Sequence, residues 1–160
     1  MKLAIQHRAA FFSTAVAASV DCIIQRRSGR RYDVKRTLRV GSYALWSTYP
    51  QLSYFKWLGS TFKGNTAATV FQKTMTNQFV FAPINIALAI TWDLMMQNKT
   101  SSDVFAKVSK NMVPGLIEGS VFWIPVNMVG FYTVQNRNQF IFFKFASIVY
   151  KFILIPRTNN

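Results

Sequence analysis

Uncharged residues in this chain gather into long runs and are not spread at the spacing of a solvent-facing amphipathic helix. Residues 9–20 carry no charge, and the apolar character continues past Asp21 through Cys22, Ile23 and Ile24. Residues 40–55 are uncharged for 16 positions, residues 74–92 for 19 and residues 119–136 for 18. A fifth, weaker segment, 138–156, is rich in Phe and Ile but holds Lys144 and Lys151. As a helix, 19 residues extend about 28 Å, close to the roughly 30 Å of a bilayer's hydrocarbon core. A soluble helical protein would show a charged outer face on helices of this length, whereas Phe79, Phe81, Ile84, Ile86, Leu88 and Ile90 surround the third run on every side. Backbone polar groups in lipid must be satisfied within the span, and the alternation of a barrel strand is missing, so the runs predict helices. The expected fold is all-α: a single domain over residues 1–160, a polytopic bundle of four to five spans with a short amphipathic interfacial helix.

The first helix is expected over about 3–26, with Ala10, Thr14 and Ala18 spaced by four. Small residues at that spacing let two helices approach closely in lipid, so this stripe predicts a packing face. Asp21 falls on a parallel row with Ser13 and Ala17, where Arg26, Arg27 or a polar group of a neighbour is its expected partner. Asp33 is a good N-cap for a second helix reaching about Phe62, with Pro50 kinking it. Residues 66–97 read as one helix with Pro83 inside. Thr100 followed by Asp103 resembles a helix start for a surface helix over 101–112, and Pro114 is expected to open the next span, where Gly115 and Gly119 form a GxxxG contact.

Composition strengthens the lean towards lipid: charged residues make up 15% of the chain and aromatics 16%, against about 25% charged in an ordinary soluble domain. A mean hydropathy of only +0.15 is what keeps the soluble alternative in play. Nineteen Lys and Arg face five Asp and Glu, a net charge of +14. The cluster Arg26, Arg27, Arg30, Arg31, Lys35, Arg36 and Arg39, in a segment 26–39 read as a basic interfacial loop, is expected on the positive-inside side of a membrane and fits anionic lipid head groups, cardiolipin among them. No nucleic-acid-reading motif accompanies it. With five spans, the side of that loop would also hold Lys99, Lys107, Lys110 and Arg157, eleven basic residues against six opposite (Lys2, Arg8, Lys56, Lys63, Lys73 and Arg137), which turns the loop to the matrix of a mitochondrion. One Cys and one His leave too few ligands for a zinc site and no internal disulfide. Lone His7 has no nucleophile motif around it, Met95 and Met96 read as packing residues, and the sequon 98–100 would be unused in a mitochondrion. No metal, cofactor or enzyme activity is expected. The N-terminal residues hold Lys2, His7 and Arg8 without an acid or a secretory cleavage site, as in uncleaved mitochondrial import.

The run from Trp123 through Pro125, Asn127, Gly130, Phe131 and Tyr132 to Val134 resembles the signature of the Mpv-seventeen and twenty-two-kilodalton peroxisomal membrane protein family. Asn77-Gln78 followed by Ala82-Pro83, Asp21 with Gln25, and Arg36-Thr37 with Pro50 and Phe55 are similar to further family segments, in order along nearly the whole chain. The departures shorten or neutralise polar groups: Asn127 stands for Gln, Gly130 for Asn, Gln135 for Pro, Gln139 for Arg and Asn77 for Asp. The resemblance implies a small polytopic protein of the mitochondrial inner membrane, or alternatively the peroxisomal membrane, acting as a small-solute channel or membrane organiser. Polar candidates along a path are Asp21, Gln25, Asn77, Gln78, Asn85, Asp93, Glu118 and Asn127; the plainer role for each is an interhelical hydrogen bond. The reduced polar signature and the aromatic surplus point to an accessory subunit of a larger respiratory or ATP synthase-type complex, with other subunits and lipid as partners, oligomers allowed, and the solitary channel as the alternative.

Overall fold

The computed structural model describes residues 2–28 and 31–154. Every regular element among them is helical: α1 (Lys2–Arg27), α2 (Val34–Thr61), α3 (Ala67–Thr76), a π-helical turn (Asn77–Phe81), α4 (Ala82–Met95), α5 (Ser101–Thr133) and α6 (Gln139–Leu154). They sort into two compact units. One is built from α1, α2 as far as Tyr54, and α6 from Phe143; the other runs from Phe55 to Phe142.

Caps written in the sequence set several boundaries. Asp33 Oδ1 accepts the backbone N–H of Arg36 at 3.0 Å, closing the start of α2 as expected. Thr66 accepts from Thr69 N–H at α3, and Thr100 with Asp103 forms a reciprocal capping box at α5. Helix α4 ends where Asn98 takes a left-handed φ of 54° and Lys99 N–H returns to Leu94 O at 3.1 Å; Asn tolerates that backbone region better than most residues.

Prolines lie inside the helices. Helix α2 continues through Pro50, over the range expected for it. The boundary expected at Pro114 is absent: residues 101–112 are the first turns of a 33-residue α5 that holds both Pro114 and Pro125. The helix expected over 66–97 is present, but just before Pro83 it widens, and Ala82 N–H reaches Asn77 O five residues back. Pro83 supplies no N–H to the preceding turn and its ring crowds a carbonyl there, so a π-turn relieves the clash and lets the axis continue.

Two helices are long and apolar enough to cross a membrane: the continuous 29-residue segment Ala67–Met95 and α5. Only 11% of each apolar window is buried inside the protein, whereas a soluble core helix would be covered on most sides. Among the described residues α1, α2 and α6 fall short of the same combination of length and apolarity, so two spans, fewer than the four to five expected, stand out on this ground.

In the first unit Ala10, Ser13, Val20, Ala44, Ser47 and Thr48 are buried. A Cβ added to Gly41 of α2 would lie 3.6 Å from the Thr14 methyl, so the small-residue stripe of α1 meets α2 at a site without a side chain. Ala10 is fully covered and Ala18 half-buried. In the second unit α5 packs against α3, the π-turn and α4. There Gly119 is buried, and a Cβ on Gly115 would lie 3.7 Å from Ile86 Cδ1, a helix contact at the GxxxG pair. The core of the first unit is largely small or polar, as suits a medium in which burying apolar surface gives little drive, whereas the second also buries Phe55, Leu58, Phe131 and Phe140.

Candidate functional site

In the first unit a saturated polar knot ties the end of α1 to the start of α2. Asp21, 4% exposed, sets Oδ1 3.0 Å from Arg36 Nε, while its Oδ2 accepts from Gln25 Nε2 at 2.7 Å and Thr37 Oγ1 at 2.8 Å. Gln25 Oε1 accepts Asp33 N–H at 2.6 Å, and its Nε2 also reaches Asp33 O at 3.1 Å. Tyr32 donates to Thr37 at 3.1 Å. Of the expected partners, a polar group of a neighbouring helix is the one found: Arg36, with Thr37, on α2, and not Arg26 or Arg27. A buried carboxylate that accepts from two side chains and pairs with a guanidinium is a structural tie. His7 Nδ1 lies 2.8 Å from the Tyr49 hydroxyl, a further α1–α2 contact.

The second unit holds the reverse case. Gln78 Nε2 donates to Ser120 Oγ at 2.7 Å, and Ser120 in turn donates to Leu116 O at 2.6 Å, fixing the register of the π-turn against α5. On those elements and α3, Thr74 Oγ1, Asn77 Oδ1, Gln78 Oε1 and both amide atoms of Asn127 are buried with no hydrogen-bond partner. Asn127 and Thr74 have no exposed surface at all. Ser120 and Asn127 are seven residues apart on α5, about 10 Å along the helix at its usual rise, and Thr74 is one turn before Gln78. Buried polar atoms normally find partners, and this set of orphans is the most unusual feature of the unit.

The other expected polar residues lie elsewhere. Asp93 accepts from Gln97 Nε2 in the following turn at 2.8 Å, and Asn85 is half-buried. Glu118 is exposed, and among the described residues nothing hydrogen-bonds or ion-pairs with it. Of the signature residues Phe131 is completely buried, Tyr132 is 62% exposed, and Trp123 and Pro83 are half-buried. The basic cluster is carried mostly by helices and not by a loop: Arg26 and Arg27 end α1, and Lys35, Arg36 and Arg39 begin α2. Arg31 is exposed between them, and Arg30 lies outside the described residues.

Lys73, counted from the sequence only as a basic residue of the side opposite the first loop, is 1% exposed; its Nζ donates to Gly64 O at 3.1 Å and holds the turn where Gly64 adopts φ +85°. Sequence reasoning passed over Thr74 and Ser120; Thr and Ser within helices give no local sign of facing a partner. No three His, Cys, Asp or Glu come together among the described residues.

The Mpv17 / PMP22 family model matches residues 94–154. "PXMP2/4 family protein 4" of Dictyostelium discoideum is 24% identical over 126 residues, covering 78% of this chain and 68% of that protein. "Mitochondrial inner membrane protein Mpv17" of Danio rerio is 21% identical over 139 residues, covering 86% of this chain and 78% of the relative. No solved structure matches.

Proposed function

We propose, from the premise that the chain belongs to the Mpv17 / PMP22 family as a divergent member, that it is a non-catalytic integral protein of the mitochondrial inner membrane and an accessory subunit of a larger membrane complex. The location is the one that the name of the Danio rerio relative states for that relative. Four to five spans follow if α1, α2 and α6 cross beside the two strongly apolar segments.

The observation that carries the subunit reading is Glu118. Its neighbour Ser120 bonds Gln78, four residues inside the uncharged run 74–92, so Glu118 stands within the apolar depth of the helix pair. It projects with Ile117 and Val121, which are 64% and 80% exposed. A carboxylate facing hydrocarbon at that depth costs about 2.5 kcal/mol or more, and a donor on a partner helix removes the cost. Isolation from mitochondria in mild detergent is expected to give comigration with a respiratory or ATP-synthesising complex, and Glu118→Leu is expected to release the chain. A lone species of 18.3 kDa that conducts in planar bilayers overturns this reading.

That outcome would favour a small-solute channel, the second reading, which rests on the orphaned set of Thr74, Asn77, Gln78 and Asn127. A conducting path needs polar groups without fixed partners. Asn127→Leu should then cut conductance, whereas it leaves comigration unchanged if the chain is a subunit.

A further inference from the structure

The corner between α1 and α2 combines cations and apolar side chains, and helix stability accounts only for Arg26 and Arg27, which end α1 where its field favours cations. Its two acids are occupied: Asp21 is buried against Arg36, and Asp33 caps α2 with one oxygen while the other lies 3.9 Å from Arg39. Arg26, Arg27, Arg31 and Lys35 remain exposed with no acid assigned to them, Arg27 resting its guanidinium 5.6 Å above the Phe152 ring. No acid stands in the first turn of α2; the helix field there favours anions and disfavours the cations present.

The same corner exposes large apolar groups between its charges: Tyr32 is 44% exposed, Val34 57% and Leu38 64%. Their order along the chain is Arg31-Tyr32, Val34-Lys35, Leu38-Arg39, so each is next to a cation. A surface for nucleic acid or soluble phosphate has no use for exposed Val and Leu, whereas a membrane interface takes aliphatic groups into the acyl boundary and cations to the phosphates above.

We propose that this corner is a docking site for anionic lipid: Tyr32, Val34 and Leu38 enter the acyl boundary while Arg26, Arg27, Arg31 and Lys35 hold head-group phosphates, a lipid with two phosphates spanning more of them than one with a single phosphate. The knot at Asp21 is the brace that keeps the two helix ends, and so the two pairs of cations, in fixed register. The site rests on the membrane reading above; failure of that reading shows separately, as release of the protein by alkaline carbonate.

The test uses the full chain reconstituted in phosphatidylcholine nanodiscs with and without cardiolipin, followed by native mass spectrometry. Wild type is expected to retain cardiolipin after ejection from the disc. The variant Arg26→Gln/Arg27→Gln/Arg31→Gln/Lys35→Gln should retain at least tenfold less, while Lys107→Gln/Lys110→Gln, which removes two cations elsewhere, keeps the wild-type level. A photoactivatable cardiolipin should label wild type within residues 31–38, a readout that needs no variant to fold. Equal retention by the quadruple variant, equal loss in the Lys107/Lys110 variant, labelling outside the corner, or duplex DNA displacing cardiolipin from the corner each overturns the proposal.

Discussion

Asp21 and Asn127 are buried to similar depth, yet one is saturated with partners and the other has none. Their substitutions should therefore act with opposite sign. Asp21→Asn removes the charge that Arg36 and Thr37 address; a hydrogen bond to a charged group contributes about 1.5–3 kcal/mol, and Arg36, 44% exposed, recovers part of it from solvent. A loss of about 1–3 kcal/mol on that basis should lower the melting temperature in detergent. Asn127→Leu relieves two unpaired buried amide atoms, each costing about 1–3 kcal/mol, so its melting temperature should rise. If it falls, a bound group was satisfying the amide. Asp21 was legible in the sequence because an acid on a small-residue face must find a partner, but Arg36 was not, since the register of two helices across a turn leaves no local pattern. The resemblance brought Asn127 and Gln78 to notice; nothing marked Thr74 or Ser120, or Lys73 as buried.

At the level of elements, helix starts were readable wherever a side chain caps the backbone, Pro50 and Pro83 were expected inside helices and lie there, and the one boundary misread was at Pro114, where proline was taken to open a new span. Asp33 and the Thr100–Asp103 box carry their own hydrogen bonds. Pro50, Pro114 and Pro125 sit inside helices, a placement that neighbouring helices make tolerable in lipid, and the π-turn before Pro83 arises from a clash that hydropathy does not register. The Thr100–Asp103 box has a pH signature. Thr100 donates to Asp103 Oδ2 from its side chain at 2.7 Å and from its backbone at 3.2 Å, and these bonds, the side-chain one foremost, hold the carboxyl below the usual carboxylate range. A folded-state pKa below the unfolded value of about 3.9 means the contribution is fully present above that value and disappears as pH falls through the folded one. Hydrogen-exchange protection of amides 101–104 should stay level from about pH 7 to 5 and drop only below about pH 4. Asp103→Asn should abolish that step, and an unchanged step in this variant would assign it to another group.

For the molecule as a whole, charge is concentrated by fold as well as by sequence. The unit formed by α1, most of α2 and most of α6 has twelve Lys and Arg against Asp21 and Asp33, a surplus of ten out of the net +14. The other unit has seven basic residues and three acids. Topology follows Lys and Arg in the short segments flanking spans, and the densest such segment is the α1–α2 corner. With α1 and α2 in the membrane, the corner is expected on the matrix side, since pulling its unneutralised cations outward across the hydrocarbon costs several kcal/mol. A cysteine placed there reads the side directly. Cys22, the single native cysteine, is replaced by Ser, and Arg31→Cys supplies an exposed thiol that leaves the Asp21 knot intact. In mitochondria with only the outer membrane opened, a membrane-impermeant maleimide should leave Cys22→Ser/Arg31→Cys unmodified, and rupture of the inner membrane should make labelling complete. Labelling before rupture would place the corner in the intermembrane space and reverse the orientation that the charge distribution dictates.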